Sequence, residues 1–242
     1  MNLDCIYIIL SKSFEKDRLY YLENYFKNNP INIPIEYIEP FYIGRDDNNI
    51  NYSHYVPSLK KGEKMLAATF EKLFENILKN TSHQRIIIFE SDVIFYPNFN
   101  EEISIILDEW INNANHPSIV FFGGASFSIP IIKEKKNKSI LYLMNETRCC
   151  DSMLLDRLSI QIIYDKMKST IITEPVDHLW NKYFSKELLG YWTNKSLTQQ
   201  GSELKVYKTI LRSDDTNEVI NYNSGVVKFK NSKNLKFNMK FY

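Results

Sequence analysis

The sequence of 242 residues is poor in cysteine, in long apolar runs and in any excess of charge. Its three cysteines, Cys5, Cys149 and Cys150, form no Cys-x-x-Cys spacing. Adjacent cysteines rarely bond to each other, so we expect neither a disulfide framework nor a zinc site. The 30 basic residues nearly balance the 29 acidic ones, leaving a formal net charge of +1. That balance gives no electrostatic reason to expect a nucleic-acid partner.

The chain also shows no targeting segment and no linker. The opening MNLDCIYIIL has no basic segment, and its apolar run is too short to cross a membrane. We therefore expect a first strand there, no membrane span and a cytoplasmic protein. Without repeats or a Pro/Gly-rich linker, the sequence predicts a single domain over residues 1–242. About 40 residues at the C-terminus give only weak signals, with a possible strand over 226–229.

Short apolar runs alternate with segments of helical periodicity along the chain. The runs over 4–10, 35–38, 85–89, 118–122 and 140–143 predict strands, and the apolar spacing over 14–28, 62–78, 100–110, 156–167 and 176–184 predicts helices. Residues 44–58 are polar and predict a loop. This alternation indicates an α/β fold with a mostly parallel central sheet flanked by helices.

Two carboxylates stand at the end of an apolar run in IIIFESDVIF, the stretch from Ile86 to Phe95. Ligands of open α/β sheets bind beyond the carboxyl ends of the strands. An extended backbone would direct Glu90 and Asp92 to the same side, because the strand period is two. Adjacent carboxylates stay ionised only near a counter-charge, and Mg²⁺ or Mn²⁺ takes such oxygen ligands. The alternative is a chance acidic triplet in a turn after a strand.

The order of several motifs resembles glycosyltransferase family 25, which includes lipooligosaccharide and collagen galactosyltransferases. The matching stretches are the Gly-Glu helix start at 62–63, the acidic triplet at 90–92, the strand end at 120–124, Pro-Val-Asp at 175–177 and Gln-x-Ser at 200–202. The first strand and the Arg-bearing turn after it, Ile6 to Arg18, are also similar to the family, so the resemblance extends over roughly residues 4 to 205. Three segments depart from the family pattern. Ser91 stands where the family has an acid, the helix segment 67–70 lacks the family's histidine, and the family's Gly-Thr-x-x-Tyr region is only loosely matched over 148–153.

The resemblance implies a GT-A (Rossmann-like) fold and a sugar transferase. The donor would be a nucleotide-diphosphate sugar, with a UDP-sugar and a galactose-like sugar as the family analogy, and the acceptor a hydroxyl of a glycan or glycoprotein. The resemblance also implies Mn²⁺ or Mg²⁺ at the triplet, with Asp92 as direct ligand and Glu90 supporting the metal or contacting the donor. A metal there would stabilise the leaving diphosphate as a Lewis acid.

Two further acids and a histidine are candidates for the chemistry. An inverting enzyme needs a base beside the acceptor hydroxyl. Asp177 is the leading candidate for it, with helix capping as the alternative role, and Asp151 is the second. His178 is a candidate for a second metal ligand, because imidazole is tolerated at Mn²⁺ sites. A structural role is the alternative for this histidine.

Donor contacts are expected at the end of the first strand and in the late motif. Leu10 and Ser11 are candidates for the floor of a base-binding site. Arg18 is within reach of a phosphate if its helix faces the cleft, and a solvated helix charge is the alternative. Gln200 and Ser202 are candidates for contacts with the acceptor or the diphosphate.

Two rival functions use the same residues. A catalytically degenerate relative that binds nucleotides or carbohydrates would account for Ser91 and for the missing histidine. A metal-dependent phosphohydrolase would use the same carboxylates, but the sequence has no recognisable second cluster of Asp and His ligands. Release of nucleoside diphosphate from a UDP-sugar with Mn²⁺ distinguishes an active transferase from both.

Overall fold

The computed structural model describes residues 3–115, 117–123, 140–144, 149–184, 187–202 and 206–207. Within these residues the strands are β1 (Cys5–Ile9), β2 (Ile35–Ile38), β3 (Arg85–Glu90), β4 (Val93–Phe95), β5 (Ser118–Phe121), β6 (Leu141–Met144), β7 (Ser152–Asp156), β8 (Leu189–Thr193) and β9 (Thr198–Gln200). The helices are α1 (Lys16–Asn28), α2 (Lys61–Asn80), α3 (Phe99–Asn113), α4 (Arg157–Ser169) and α5 (Val176–Tyr183). Two short 3-10 turns, Asp47–Asn49 and Tyr52–His54, lie in the predicted loop.

The main sheet has the strand order β2-β1-β3-β7-β5-β8-β6. Strands β1, β2, β3, β5 and β8 run in one direction, whereas β7 and β6 run in the opposite one. Strands β4 and β9 pair separately as an antiparallel ribbon. The mostly parallel α/β sheet predicted from the sequence is therefore confirmed.

Alternating side chains along β1 enter two separate cores. Cys5, Tyr7 and Ile9 belong to the core that includes α2, α4 and α5, whereas Ile6 and Ile8 belong to the core that includes α1 and α3. This division follows from the strand period of two. Helices thus cover both faces of the sheet, which is why the central strands β1 and β3 are apolar over most of their length.

The sequence does not predict β4, β7, β8 and β9. The consecutive β7 residues Met153, Leu154 and Leu155 are all fully buried, so this strand lacks the alternation that marks a half-exposed one. Strands β4 and β9 have three residues each and pair with each other from distant parts of the chain. The possible strand over 226–229 lies outside the described residues, and the single-domain prediction remains a prediction. Among the described helices, none is long and apolar enough to cross a membrane.

Candidate functional site

A cleft opens at the carboxyl ends of β1, β2 and β3, where open α/β sheets bind their ligands. It encloses roughly 680 Å³, part of it open to solvent. The residues that line it are Ile9, Glu15, Arg18, Pro40, Phe41, Tyr42, Ile43, Gly62, Met65, Leu66, Thr69, Glu90, Ser91, Asp92, Gln200 and Ser202. Five of the residues predicted from the sequence are among them: Arg18, Glu90, Asp92, Gln200 and Ser202.

The acidic triplet forms the transition from β3 to β4. Strand β3 ends at Glu90, and Ser91 and Asp92 make a turn before β4 begins. The backbone is therefore not extended through the triplet. Glu90 and Asp92 nevertheless line the same cleft, because the turn brings Asp92 back to the end of the strand. Asp92 is 5% exposed, so its charge lies largely out of bulk water.

The surroundings of Glu90 disfavour the charged form of its carboxyl group. Burial raises the pKa of Glu90 to about 8, and the neighbouring charges of Asp92, Asp151 and Asp177 add to the effect. The Cys150 thiol donates a hydrogen bond to Glu90 Oε1 at 3.3 Å, which acts in the opposite direction. A nearby cation would stabilise the ionised form of a carboxylate in such surroundings.

The β4–β9 ribbon brings the late Gln-x-Ser motif onto the acidic turn. Gly201 donates its backbone N–H to the Asp92 carbonyl at 2.7 Å, and the Ser202 N–H donates to Asp92 Oδ2 at 3.1 Å. A Cβ at Gly201 would lie 2.7 Å from the Asp92 oxygen and 2.5 Å from Tyr207 Cδ2. Position 201 thus accommodates only glycine without displacing a neighbour, and the ribbon fixes both the backbone and the carboxylate of Asp92.

Asp151 lies behind the acidic turn. Its carbonyl accepts the Glu90 N–H at 2.8 Å, and its Oδ2 accepts a hydrogen bond from Ser152 Oγ at 3.2 Å. It is 1% exposed and does not belong to the cleft lining. The charge of Asp151 therefore acts on Glu90, but its side chain does not line the cleft.

Asp177 and His178 stand at the start of α5, outside the cleft lining. Burial raises the pKa of Asp177, and the nearby His178 opposes this shift. The Asp177 charge contributes to the raised pKa of Glu90, so the two carboxylates are neighbours. The imidazole of His178 is 54% exposed, and its Nε2 lies 4.0 Å from Asp177 Oδ2. Its contact is thus with the Asp177 carboxylate.

The predicted donor floor at the end of β1 divides between two faces. The Leu10 side chain is fully buried in the core of α1 and α3, whereas Ile9 lines the cleft. Ser11 is fully buried beneath the lining, and its hydroxyl donates to Glu39 Oε1 at 2.5 Å. Strand alternation assigns Leu10 and Ile9 to opposite faces, so contact with a ligand in the cleft falls to Ile9.

Apolar and aromatic side chains from the segment after β2 and from the first turns of α2 also line the cleft: Phe41, Tyr42, Ile43, Met65 and Leu66. The Phe41 N–H donates to Thr69 Oγ1 at 3.0 Å, which anchors the segment after β2 to α2. The Arg45 guanidinium donates to Glu39, to the Pro40 carbonyl and to Asp46, which braces the loop from inside. The cleft lining therefore combines apolar and aromatic side chains with carboxylates.

The donor set fits a hard divalent cation with few protein ligands. No group of three or more His, Cys, Asp or Glu side chains in the described ranges is arranged to hold a metal ion. Mg²⁺ and Mn²⁺ commonly use only one or two carboxylates and complete their shell with water or phosphate oxygens. Glu90 and Asp92 supply two such carboxylates at the cleft, and a cation would offset both the burial and the neighbouring negative charges that raise the pKa of Glu90.

Sequence reasoning missed two residues that contact the predicted ones. Glu15 lines the cleft and binds Arg18 at 2.5 Å. Its signal is an acid three residues before an arginine at the start of a helix. The second is Cys150, which contacts Glu90. The sequence has no signal for this contact, which becomes visible only from the buried position of Cys150 just before β7.

No protein-family model and no curated protein matches the sequence. A glycosyltransferase involved in the glycosylation of the major capsid of PBCV-1 is similar in structure, with 11% identity, coverage of 82% of this chain and 94% of that one, and a TM-score of 0.43. A197 from STIV has 10% identity, coverage of 81% and 83%, and a TM-score of 0.40. TarS 1-349 from S. aureus has 10% identity, coverage of 84% and 61%, and a TM-score of 0.34. Similarity this low supports no inference about activity, so function has to be argued from the site itself.

Proposed function

We propose that the chain is a metal-dependent glycosyltransferase of the GT-A type, related to family 25. In this proposal it moves a sugar from a nucleotide-diphosphate donor to a hydroxyl of a glycan or glycoprotein acceptor. A UDP-sugar is the proposed donor, with a galactose-like sugar by family analogy. The observation that carries the proposal is the cleft at the strand ends, which is lined both by the carboxylates Glu90 and Asp92 and by apolar and aromatic side chains.

The apolar and the acidic residues of the cleft suit two parts of a nucleotide sugar, its base and its diphosphate. A planar base packs favourably against apolar and aromatic side chains such as Phe41 and Tyr42. A diphosphate is anionic and would be repelled by Glu90 and Asp92 unless a divalent cation lies between them. A bound Mn²⁺ or Mg²⁺ would supply Lewis-acid stabilisation of the leaving diphosphate.

Asp92 is the proposed direct ligand of the cation, because the Ser202 N–H and the β4–β9 ribbon hold its carboxylate in one position. Glu90 supports the same ion. Gln200 lines the cleft beside them and would contact the donor or acceptor. An ion held by two ligands keeps coordination positions for phosphate oxygens.

Asp177 is the proposed base in an inverting transfer. Burial raises the pKa of this carboxylate, and a base is most effective when its pKa approaches the working pH. Asp177 lies outside the cleft lining but close enough to Glu90 for its charge to act there. In this proposal the acceptor extends to Asp177, which takes its hydroxyl proton as the oxygen attacks the sugar carbon and the bond to the diphosphate breaks. Asp151 is the second candidate, and its burial behind Glu90 favours a supporting role.

A thermal-shift panel of nucleotide sugars with and without Mn²⁺ tests the proposal. A ligand at about 100 times its Kd stabilises the folded state by about 2.7 kcal/mol. We expect this stabilisation with one nucleotide family, only when Mn²⁺ is present, together with slow release of nucleoside diphosphate. Asp92→Asn preserves an acceptor for the Ser202 N–H, and we expect it to reduce release about 100-fold or more, since a metal contributes several kcal/mol.

The matched control is Asp108→Asn, which changes an exposed acid of α3. It should retain both the thermal shift and the release. The proposal fails if no nucleotide sugar raises the melting temperature, or if Asp92→Asn behaves like Asp108→Asn.

The second candidate function is a catalytically degenerate nucleotide- or carbohydrate-binding protein. It is favoured by Ser91, whose hydroxyl is bound to Glu15 and Arg18 and adds no charge to the acidic turn. This alternative predicts a Mn²⁺-dependent thermal shift without release of nucleoside diphosphate from any donor in the panel.

A further inference from the structure

A buried network underlies the acidic turn of the cleft. The Ser91 hydroxyl donates to Glu15 Oε1 at 2.6 Å and accepts from Arg18 Nη1 at 2.5 Å. Arg18 Nη1 also donates to Glu15 Oε1 at 2.5 Å. The exposed fractions are 6% for Ser91, 4% for Glu15 and 9% for Arg18. The three groups thus form a closed triangle largely shielded from water.

The Glu15 carboxylate joins the ends of two parallel strands. Its Oε2 accepts the backbone N–H of Ser11, just after β1, at 2.8 Å. Its Oε1 binds Ser91, just after β3. Glu15 occupies the N-cap position of α1, but its side chain makes no capping bond. Both carboxylate oxygens therefore serve the strand ends instead of the helix.

The network is electrically neutral and has room for only one negative charge. Glu15 and Arg18 form its ion pair, and the ring of Tyr207 covers the guanidinium at 5.1 Å. A carboxylate at position 91 would stand next to Glu15 Oε1, where the hydroxyl now lies at 2.6 Å. Two carboxylates at that distance repel strongly in a buried site. The hydroxyl of Ser91 is therefore matched to the presence of Glu15.

We propose that Glu15, Arg18 and Ser91 are positioning residues that hold the Glu90–Asp92 turn in the geometry that binds a cation. The network requires one carboxylate beside Arg18, carried by residue 15 or by residue 91. Arg18 is thereby assigned to the turn and not to a donor phosphate. The proposal rests on the proposed function only through the cation that the turn would bind.

Relocating the charge tests the proposal. The variants are Ser91→Asp, Glu15→Gln and the double variant, with Ser82→Asp, at an exposed serine, as the matched control for added charge. The readouts are Mn²⁺ affinity, measured by electron paramagnetic resonance with Mn²⁺ alone, and the urea midpoint of unfolding. We expect each single variant to weaken Mn²⁺ binding about 10-fold or more.

The double variant should recover Mn²⁺ affinity to within about threefold of the parent, because the amide that replaces Glu15 can still accept the Ser11 N–H and can donate to the relocated carboxylate. Ser82→Asp should match the parent in both readouts. If Ser91→Asp does not fold, Ser91→Ala replaces it. It should weaken Mn²⁺ binding by the folded protein and lower the urea midpoint, because Glu15 and Arg18 each lose a buried hydrogen-bond partner.

Additive losses in the double variant would overturn the proposal, and so would parent-like Mn²⁺ affinity in both single variants. Recovery of the urea midpoint without recovery of Mn²⁺ affinity would leave a purely structural ion pair and contradict the positioning role. A parent chain that binds neither Mn²⁺ nor any nucleotide sugar would overturn the proposed function and the positioning role together. The urea midpoints would then still decide whether the charge pairing exists.

Discussion

The two ends of strand β3 accommodate partly buried acids in opposite ways. At its amino end, Asp4 accepts two backbone N–H groups at 2.7 and 2.8 Å. Asp156 at the same end accepts the N–H groups of Ser118 at 3.0 Å and Ser159 at 2.7 Å. At its carboxyl end, Glu90 receives one thiol hydrogen bond and faces other carboxylates. Backbone donors satisfy the first pair, whereas burial and neighbouring carboxylates disfavour the charged form of Glu90.

This difference separates acids that hold the fold from acids available for chemistry. A carboxylate that accepts backbone N–H groups is stabilised in its charged form and contributes to stability. A carboxylate crowded by its own kind reduces stability, and such perturbed groups concentrate at functional sites. Strand β7 makes the contrast visible within one element, because it is preceded by Asp151 near the cleft and ends in Asp156 at the opposite edge.

The largest expected effect is a decline of stability with pH caused by Glu90. The folded pKa of about 8 lies above the ordinary value of 4.5. Between these values the folded state keeps its proton while the unfolded state releases it, so the free energy of unfolding falls as pH rises, by at most about 1.4 kcal/mol per pH unit. Glu90→Gln should remove this decline, as measured by urea unfolding from about pH 5 to about pH 8.

Glu101→Gln provides the control for this titration, because Glu101 is exposed on α3. It should keep the decline of the parent. Equal slopes in the parent and in Glu90→Gln would show that the carboxyl end of β3 does not carry the strained charge, and the contrast between the two ends would disappear. Added Mn²⁺ should flatten the slope of the parent, because a cation stabilises the ionised form.

The second prediction concerns Asp156, near the amino end of β3. Asp156→Ala removes the N-cap of α4 and leaves the buried N–H of Ser118 without its carboxylate partner. We expect a loss of about 2 to 3 kcal/mol in the free energy of unfolding, measured by urea unfolding, with Mn²⁺ affinity unchanged. Asp165→Ala on the exposed side of α4 should change stability by less than about 0.5 kcal/mol. A weakened Mn²⁺ affinity in Asp156→Ala would mean that the two ends are coupled.

The smallest expected effect comes from glycine substitutions, which separate a loss of stability from a loss of Mn²⁺ affinity. Gly201→Ala inserts a Cβ against Tyr207 and the Asp92 carbonyl and should cost about 1 kcal/mol of stability. It should also weaken Mn²⁺ binding, because Asp92 must shift. Gly44→Ala is the matched glycine change: Gly44 has φ +83° and no atom near its Cβ position, so it should cost about 1 kcal/mol through backbone strain alone. Equal Mn²⁺ affinity in the two variants would show that the ribbon does not hold Asp92.

The regular part of the fold is largely readable from the sequence. The segments that became β1, β2, β3, α2 and α3 carry apolar runs or helical periodicity that local rules recognise. These rules do not recognise strand β7, because it is defined by its pairing with two strands from elsewhere in the chain, β3 and β5. The rules miss the short ribbon of β4 and β9 for the same reason, although it carries the contact between Ser202 and Asp92.

The sequence by itself determined that an apolar strand ends in acids, because hydrophobicity and charge are properties of neighbouring residues. Three features of the site depend on the tertiary structure. Ser91 contacts Glu15 and Arg18, and Cys150 contacts Glu90. Ile9, and not Leu10, lines the cleft. These contacts depend on how distant strands pair and on which face each side chain takes. Long-range pairing and three-dimensional burial are not encoded in any local pattern, so the electrostatics of the site emerge only when the sheet is assembled.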